Sequence, residues 1–182
     1  MPNANTHARQ PGRVASGFTL IEAMIATVII GVAVTSLLAV MASSTRANGE
    51  ALLMTRGIFI AQQMRERLIL LPYRDPQTGD TTFGPEESAT GYFSLFNDKD
   101  DFNGAAISPP MGASGTAMAD FGSWRQLVIV NGVDVNNFRN DYTTTSPQDM
   151  IQINIAAQFL DPSSGDYRTV TDLTWVETLP FE

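Results

Sequence analysis

The chain has 182 residues, a length that suits one modest globular domain. Residues 75–182 carry sixteen Asp and Glu against four Lys and Arg, and this acidic balance disfavours a nucleic-acid partner. The sequence has no cysteine, and its only histidine is His7. A disulfide framework, a Cys nucleophile and a Ser-His-Asp triad are therefore excluded from the acidic part. We predict no catalytic residue, no cofactor and no metal site.

The first 42 residues have the composition of a membrane anchor. Residues 1–17 contain Arg9 and Arg13 and no acid, whereas residues 18–42 are mostly apolar and carry a single charge, Glu22. At about 1.5 Å per residue, a helix over 18–42 measures about 37 Å, enough to cross a hydrocarbon core of about 30 Å. The segment is longer than the apolar region of a cleavable secretory signal. We expect a transmembrane helix over 18–42, with residues 1–17 in the cytoplasm and the remainder outside.

Glu22 is the one charged residue of the predicted span. A charged side chain at the centre of a membrane helix costs roughly 3 kcal/mol on insertion scales. Glu22 lies five residues into the span, so one interpretation is that its carboxylate reaches water among the lipid headgroups. The other is that a neighbouring subunit supplies a charge partner.

The stretch Gly17-Phe18-Thr19-Leu20-Ile21-Glu22 resembles the processing junction of type IV prepilins and of the pseudopilins of type II secretion. The resemblance implies that prepilin peptidase cleaves between Gly17 and Phe18 and that Phe18 is then methylated. It implies that Glu22 meets the terminal amine of a neighbouring subunit during assembly. The implied partners are prepilin peptidase, other pilin or pseudopilin subunits through the N-terminal helix, and inner-membrane lipid.

Two departures from the major-pilin pattern favour a minor pilin with a priming, tip or accessory role. Ala39 stands where major pilins usually have a proline, and the cysteine pair of many major pilins is missing. A type II secretion pseudopilin remains an alternative. A second alternative is a single-pass membrane protein with a binding or adhesion head that does not polymerise, and a third is a membrane-tethered enzyme.

The segment after the span has helical periodicity. Apolar residues and one glycine recur at steps of three and four over 43–71, and Pro72 ends the pattern. The residues of this stripe are Leu53, Gly57, Ile60, Met64, Leu68 and Leu71. We predict a stem helix over 43–71 that packs this face on the head.

The predicted head, residues 72–182, begins with loop-like sequence. Residues 72–91 are rich in Pro, Gly, Asp and Thr, and the aromatic run 92–96 is a candidate strand. Residues 103–122 are mostly small and indicate a loop that interrupts the head. Such loops are usually mobile surface, and recognition of a partner there is the alternative.

Two hairpins are predicted in the rest of the head. The first joins strands at 124–130 and 133–135 through Asn131-Gly132, a pair that favours a type I′ turn. The second joins 150–160 to 167–177. The order of elements predicts an α+β fold, in which a long N-terminal helix packs on a small antiparallel sheet of four or five strands.

Residues 97–104, here called the acidic turn, combine three aspartates with two asparagines. These side chains are of the type that calcium prefers. The spacing does not match an EF-hand loop, whose first, third, fifth and twelfth positions would be Asp98, Asp100, Phe102 and Pro109. We interpret the segment as a turn between strands, with calcium binding as the alternative.

Overall fold

The structure is a computed structural model that describes residues 17–73, 84–85, 93, 95–133, 141–142 and 150–178. In chain order the elements are helix α1 (Leu20–Ile69), a 3-10 turn (Asp100–Phe102), β1 (Ala106–Ile107), a second 3-10 turn (Ala119–Phe121), β2 (Trp124–Val133), β3 (Asp141–Tyr142), β4 (Met150–Leu160) and β5 (Tyr167–Thr178). The chain divides into two compact units, Met1–Ala47 and Asn48–Glu182. The division into a leader, a transmembrane helix, a stem helix and a head, with boundaries after residues 17, 42 and 71, stays a prediction.

The described residues of the first unit lie mostly in α1 and are exposed throughout. An 18-residue window of α1 has a mean hydropathy of 2.5, so the helix is long and apolar enough to cross a membrane. Its hydroxyl groups donate to carbonyl oxygens of the preceding turn: Thr27 to Met24 at 2.8 Å and Ser36 to Val32 at 2.7 Å. Thr35 does the same. In hydrocarbon, where water is absent, these bonds satisfy the hydroxyl donors within the helix.

The second unit contains an antiparallel sheet with strand order β1-β2-β4-β5, and β3 also pairs with β2. Strands β2 and β4 pair from Trp124↔Phe159 to Gly132↔Ile151. Strands β4 and β5 pair along their whole length and form the predicted second hairpin. The α+β fold predicted from the order of elements is confirmed.

The second half of α1 packs on one face of this sheet. Its buried residues Gly57, Ile60, Met64 and Leu68 belong to the predicted stripe, and Ala61, which the stripe does not include, is buried as well. Leu53 and Leu71 are partly buried at the two ends of this face. The helix ends at Ile69, two residues before the predicted end. Each large apolar side chain buried there contributes about 1.5–3 kcal/mol through removal of its surface from water.

Gly57 lies in close contact with the sheet. A Cβ atom at this position would lie 3.0 Å from Cγ2 of Thr171, 3.3 Å from Cγ1 of Val170 and 3.4 Å from Cζ3 of Trp124. The pairing of β4 with β5 shifts register between Ala157 and Gln158, which leaves Val170 as the extra residue of a β-bulge. Helix and bulge therefore meet where the helix has no side chain.

Two sequence predictions about the head are wrong. No turn forms at Asn131-Gly132, because Gly132 lies inside β2 and pairs with Tyr142 on one side and Ile151 on the other. Pairing on both sides outweighs the local preference of Asn-Gly for a turn. The candidate strand at 92–96 is absent in its described residues Phe93, Leu95 and Phe96, and its remaining residues lie outside the described part of the chain.

The segment 103–122 is built into the head. It contributes β1 and the second 3-10 turn, and Ile107 and Met111 are buried in the core. The fully buried Gln126 side chain donates to the carbonyls of Ile60 and Met111 at 2.9 and 3.0 Å, and it accepts from the Met111 amide at 2.8 Å. Gln126 of β2 thus joins this segment to α1. The segment is therefore part of the packed head and not the mobile surface loop expected from its composition.

Candidate processing and assembly site

The predicted processing junction lies at the start of α1. The Thr19 carbonyl accepts the amide of Ala23 at 3.2 Å, which makes Thr19 the residue that caps the helix. The Thr19 amide and hydroxyl both donate to Oε2 of Glu22 at 2.9 Å, and the Glu22 amide donates to the Thr19 hydroxyl at 3.3 Å. This reciprocal arrangement is a capping box, and it satisfies backbone donors that the first helical turn leaves unpaired.

The capping box fixes one oxygen of Glu22 and leaves the other exposed. Oε1 accepts no hydrogen bond from the described residues, and the whole side chain is exposed. Phe18 is 86% exposed, and nothing lies within 4 Å of a Cβ built on Gly17. The junction is therefore sterically open on both sides of the predicted cleavage bond, with a carboxylate oxygen one helical turn away.

The comparison with known families matches this segment: residues 12–42 match the family described as "Prokaryotic N-terminal methylation motif". The chain carries a prokaryotic N-terminal methylation motif. This motif is the signature of prepilin-type cleavage sites in type IV pilins and pseudopilins. No curated protein and no solved structure matches the chain significantly.

The N-terminal methylation motif gives the long helix its context. Together they support a type IV pilin or pseudopilin-like protein, with a structural role and a membrane anchor. The motif implies processing by prepilin peptidase and assembly with other pilins. The helix packed on an antiparallel sheet is the pilin-like arrangement expected for such a protein.

Sequence reasoning selected Gly17, Phe18 and Glu22 but missed Thr19. The signal was present, because Thr19 and Glu22 have the T-x-x-E spacing of a capping box immediately before an apolar run. The resemblance directed attention to Glu22 as an intermolecular group. The structure shows that it also has an intramolecular task at the start of α1.

The acidic turn, the second candidate of the sequence, is buried. Asp98, Lys99, Asp100 and Asp101 are only 1, 4, 8 and 1% exposed. Lys99 forms an ion pair with Glu177 of β5. Among the described residues, no three Asp, Glu, His or Cys side chains are placed to hold a metal ion, so the calcium alternative gains no support here.

The aspartates of the acidic turn are held by backbone amides. Oδ2 of Asp101 accepts from the amides of Asn97 and Asp98 at 2.8 and 3.3 Å, and Oδ1 of Asp98 accepts from the Asp101 amide at 3.1 Å. Oδ2 of Asp100 accepts from the Gly84 amide at 3.0 Å. Burial, followed by the charge of Asp100, raises the pKa of Asp98 to about 8, and burial also raises the pKa of Asp100.

Proposed function

We propose that the protein is a structural subunit of a type IV pilus or pilus-like assembly, in the role of a minor pilin that primes, tips or assists the fibre. The observation that carries the proposal is the N-terminal methylation motif over residues 12–42. Prepilin peptidase cleaves between Gly17 and Phe18, Phe18 is methylated, and Glu22 serves assembly. The apolar helix then packs against the helices of other subunits.

The form of α1 supports a minor rather than a major subunit. The helix is continuous from Leu20 to Ile69 and passes through Ala39, where major pilins usually carry a helix-loosening proline. Proline in a helix interior removes one backbone hydrogen bond and clashes with the preceding turn. A subunit without it keeps a stiffer N-terminal segment, as suits a low-copy subunit that initiates or ends a fibre.

The chemistry at Glu22 supports a role in assembly. Cleavage creates an α-amine at Phe18, beside apolar helix, and a carboxylate on an adjacent helix neutralises such an amine. Thr19 occupies Oε2 of Glu22, while Oε1 has no partner among the described residues. Before assembly the protein is stored in the inner membrane, with residues 1–17 in the cytoplasm and the head outside.

Mass spectrometry of the protein from its own membrane tests the processing step. We expect a mature chain that begins at a methylated Phe18. Gly17→Leu should retain the leader, because a bulky side chain replaces the small residue at the cleavage bond. Gly12→Leu, five residues upstream, is the matched control and should be processed normally. An intact leader in the wild type contradicts the proposal.

Incorporation into fibres tests the assembly step. Glu22→Gln keeps the size and the hydrogen-bond acceptor of the side chain but removes its charge, so we expect a large loss of the subunit from sheared fibres. Glu50→Gln changes an exposed acid of the same helix outside the motif and should assemble normally. Equal incorporation of both variants would refute the role of Glu22, and absence of wild-type protein from any fibre would favour a membrane-anchored binding or adhesion module.

The choice between a pilus and a type II secretion pseudopilus is decided by deletion of the gene. Loss of surface pili with normal protein secretion supports the pilus subunit. Loss of secretion with normal pili supports the pseudopilin.

A further inference from the structure

The sheet has a second face, on the side away from α1. Gln126 of β2 is fully buried on the first face and donates to a carbonyl of α1. Because successive side chains of a strand alternate, Arg125, Leu127 and Ile129 point to the opposite side, here called the outer face. Ile129 is 36% exposed, and Val176, which lies on the same face of β5, is 44% exposed. The outer face is therefore open to solvent.

Arg125 reaches across β4 on the outer face and contacts two neighbouring strands. Its Nε donates to Oε1 of Gln158 on β4 at 2.6 Å, and its guanidinium carbon lies 4.1 Å from the centre of the Tyr167 ring on β5. Gln158 in turn donates to Oγ1 of Thr169 at 3.1 Å. The ring contact and these hydrogen bonds hold the guanidinium group in place before any partner binds. We call Arg125, Gln158 and Tyr167 the arginine seat.

The arginine seat leaves one end of the guanidinium group available. In the described part of the chain, Gln158 is the acceptor that Arg125 uses, and it takes only the Nε donor. Asp172 lies on the same face of β5, opposite Ala156, but forms no ion pair with Arg125. Arg125 is partly exposed. Nη1 and Nη2 thus present a planar pair of donors that matches the two oxygens of a carboxylate.

We propose that the arginine seat binds one carboxylate of a partner protein that docks on the outer face. Nη1 and Nη2 donate to the carboxylate, while Leu127 and Ile129 contact apolar side chains beside it. Arginine and tyrosine are among the residue types that dominate binding energy in protein interfaces. The partner that fits is a protein surface with one acidic side chain among apolar neighbours.

The charge of the head favours such a protein over an acidic polymer. Residues 75–182 carry sixteen acids and four bases, and one of these bases, Lys99, is paired with Glu177. A polymer of sugar acids would be repelled by this excess of negative charge. A single carboxylate on an otherwise neutral or basic protein surface gains the contact with Arg125 without that repulsion.

The position of the outer face suits a subunit that polymerises through its helix. In the proposed fibre, α1 packs against the helices of other subunits, whereas the outer face lies on the far side of the sheet from the second half of α1. The arginine seat would then stay accessible on the fibre surface to proteins outside the cell. This accessibility rests on the proposed function, but binding of a carboxylate by the isolated protein does not.

NMR titration of the full chain in detergent tests the arginine seat. The arginines are isotope-labelled, and the Nε–H resonance of Arg125 is assigned by its loss in Arg125→Lys. The probe is a blocked tripeptide with a glutamate between two leucines, and the matched peptide has glutamine instead of glutamate. We expect the glutamate peptide to shift this resonance saturably, with a Kd on the order of 10 mM, and the glutamine peptide to bind at least about tenfold more weakly.

Two matched substitutions separate the planar pair of donors from the charge alone. Arg125→Lys keeps the charge but loses the paired donors, so we expect its affinity for the glutamate peptide, followed by the Tyr167 ring resonances, to fall about tenfold. Arg168→Lys makes the same change in an exposed arginine next to Tyr167 and should bind the peptide like the wild type. An Arg125→Lys affinity equal to that of the wild type overturns the proposal.

The wild-type protein alone gives a decision if a variant does not fold. No shift with the glutamate peptide, or equal affinity for the two peptides, overturns the proposal. Tighter binding of glucuronate than of the glutamate peptide would assign the seat to an acidic glycan and overturn the choice of a protein partner. Fibres play no part in this titration, so failure of the arginine seat and failure of the proposed function are distinguishable.

Discussion

Substitution of Gly57 by alanine sets two opposing effects against each other. Alanine is favoured over glycine in a helix interior by about 1 kcal/mol. The new methyl group would lie 3.0 Å from the Thr171 methyl group, whereas an unstrained contact between carbon atoms measures about 3.5–4.0 Å. Thr171, Val170 and Trp124 approach from two strands, so the methyl group cannot avoid all three by one small movement.

Overpacking of this kind costs about 1–3 kcal/mol. Because Val170 and Thr171 belong to the bulge of β5, part of the strain can relax, and we take about 2 kcal/mol. The net result for Gly57→Ala is a loss of about 1 kcal/mol in the free energy of unfolding, after subtraction of the helix-propensity gain. For a protein of this size the melting midpoint should fall by about 2–4 °C.

Gly49 offers a matched control on the same helix. Nothing lies within 4 Å of a Cβ built there, so Gly49→Ala should leave stability unchanged or raise it by up to about 1 kcal/mol. Thermal unfolding of the full chain in detergent, followed by the fluorescence of Trp124 and Trp175, measures both variants. If Gly57→Ala melts at or above the temperature of Gly49→Ala, the close contact at Gly57 does not make alanine destabilising, and the reasoning is refuted.

Three further predictions concern residues that hold the structure together. Gln126→Leu should lower the free energy of unfolding by about 2–4 kcal/mol, because it leaves buried backbone groups without hydrogen-bond partners. Gln62→Leu, at an exposed position of α1, is the control and should change the free energy of unfolding little. Chemical denaturation measures both variants. Glu177→Gln should lower the free energy of unfolding by about 1–2 kcal/mol, because the buried Lys99 loses its counter-charge. The partial exposure of Glu177 keeps this loss small. An unchanged unfolding midpoint would contradict the prediction. Thr19→Ala should weaken the start of α1 by about 1 kcal/mol, seen as faster hydrogen exchange of the first-turn amides, with Thr27→Ala as the unaffected control.

The sequence predicts the elements whose signal is local and repeated. The stripe on α1 recurs over residues 53–71, and the apolar residues Ile151, Ile153 and Ile155 alternate within β4, so that several positions agree on one structure. At Asn131-Gly132 the local signal is one dipeptide, and it is overridden by pairing with two neighbouring strands. Non-local pairing is decided by residues far along the chain, which a short window does not contain.

The candidate functional residues likewise include some that the sequence identifies and others that it does not. Gly17, Phe18 and Glu22 form one short motif that can be read directly from the sequence. The burial of the acidic turn could not be read, because consecutive charged residues usually face solvent. Its burial depends on Gly84 before it, on Val130 of β2 and on Glu177 nearly eighty residues away. Gln126 was missed for the same reason, since its partners lie on α1 and beside β1.

The hydroxyl groups of α1 have a consequence for how one such helix finds its place beside another. Within residues 20–42, Thr27, Thr35 and Ser36 are already bonded to their own helix. These hydroxyl groups are therefore not needed for hydrogen bonds to a neighbouring helix, and two such helices would pack mainly through van der Waals contacts between apolar side chains. Contacts of this kind allow many relative positions along the helix axis with similar energy. Glu22 is the one charged side chain of residues 20–42. In the proposed assembly, a single salt bridge from Glu22 to the terminal amine of a neighbouring subunit would therefore set the axial displacement between adjacent subunits.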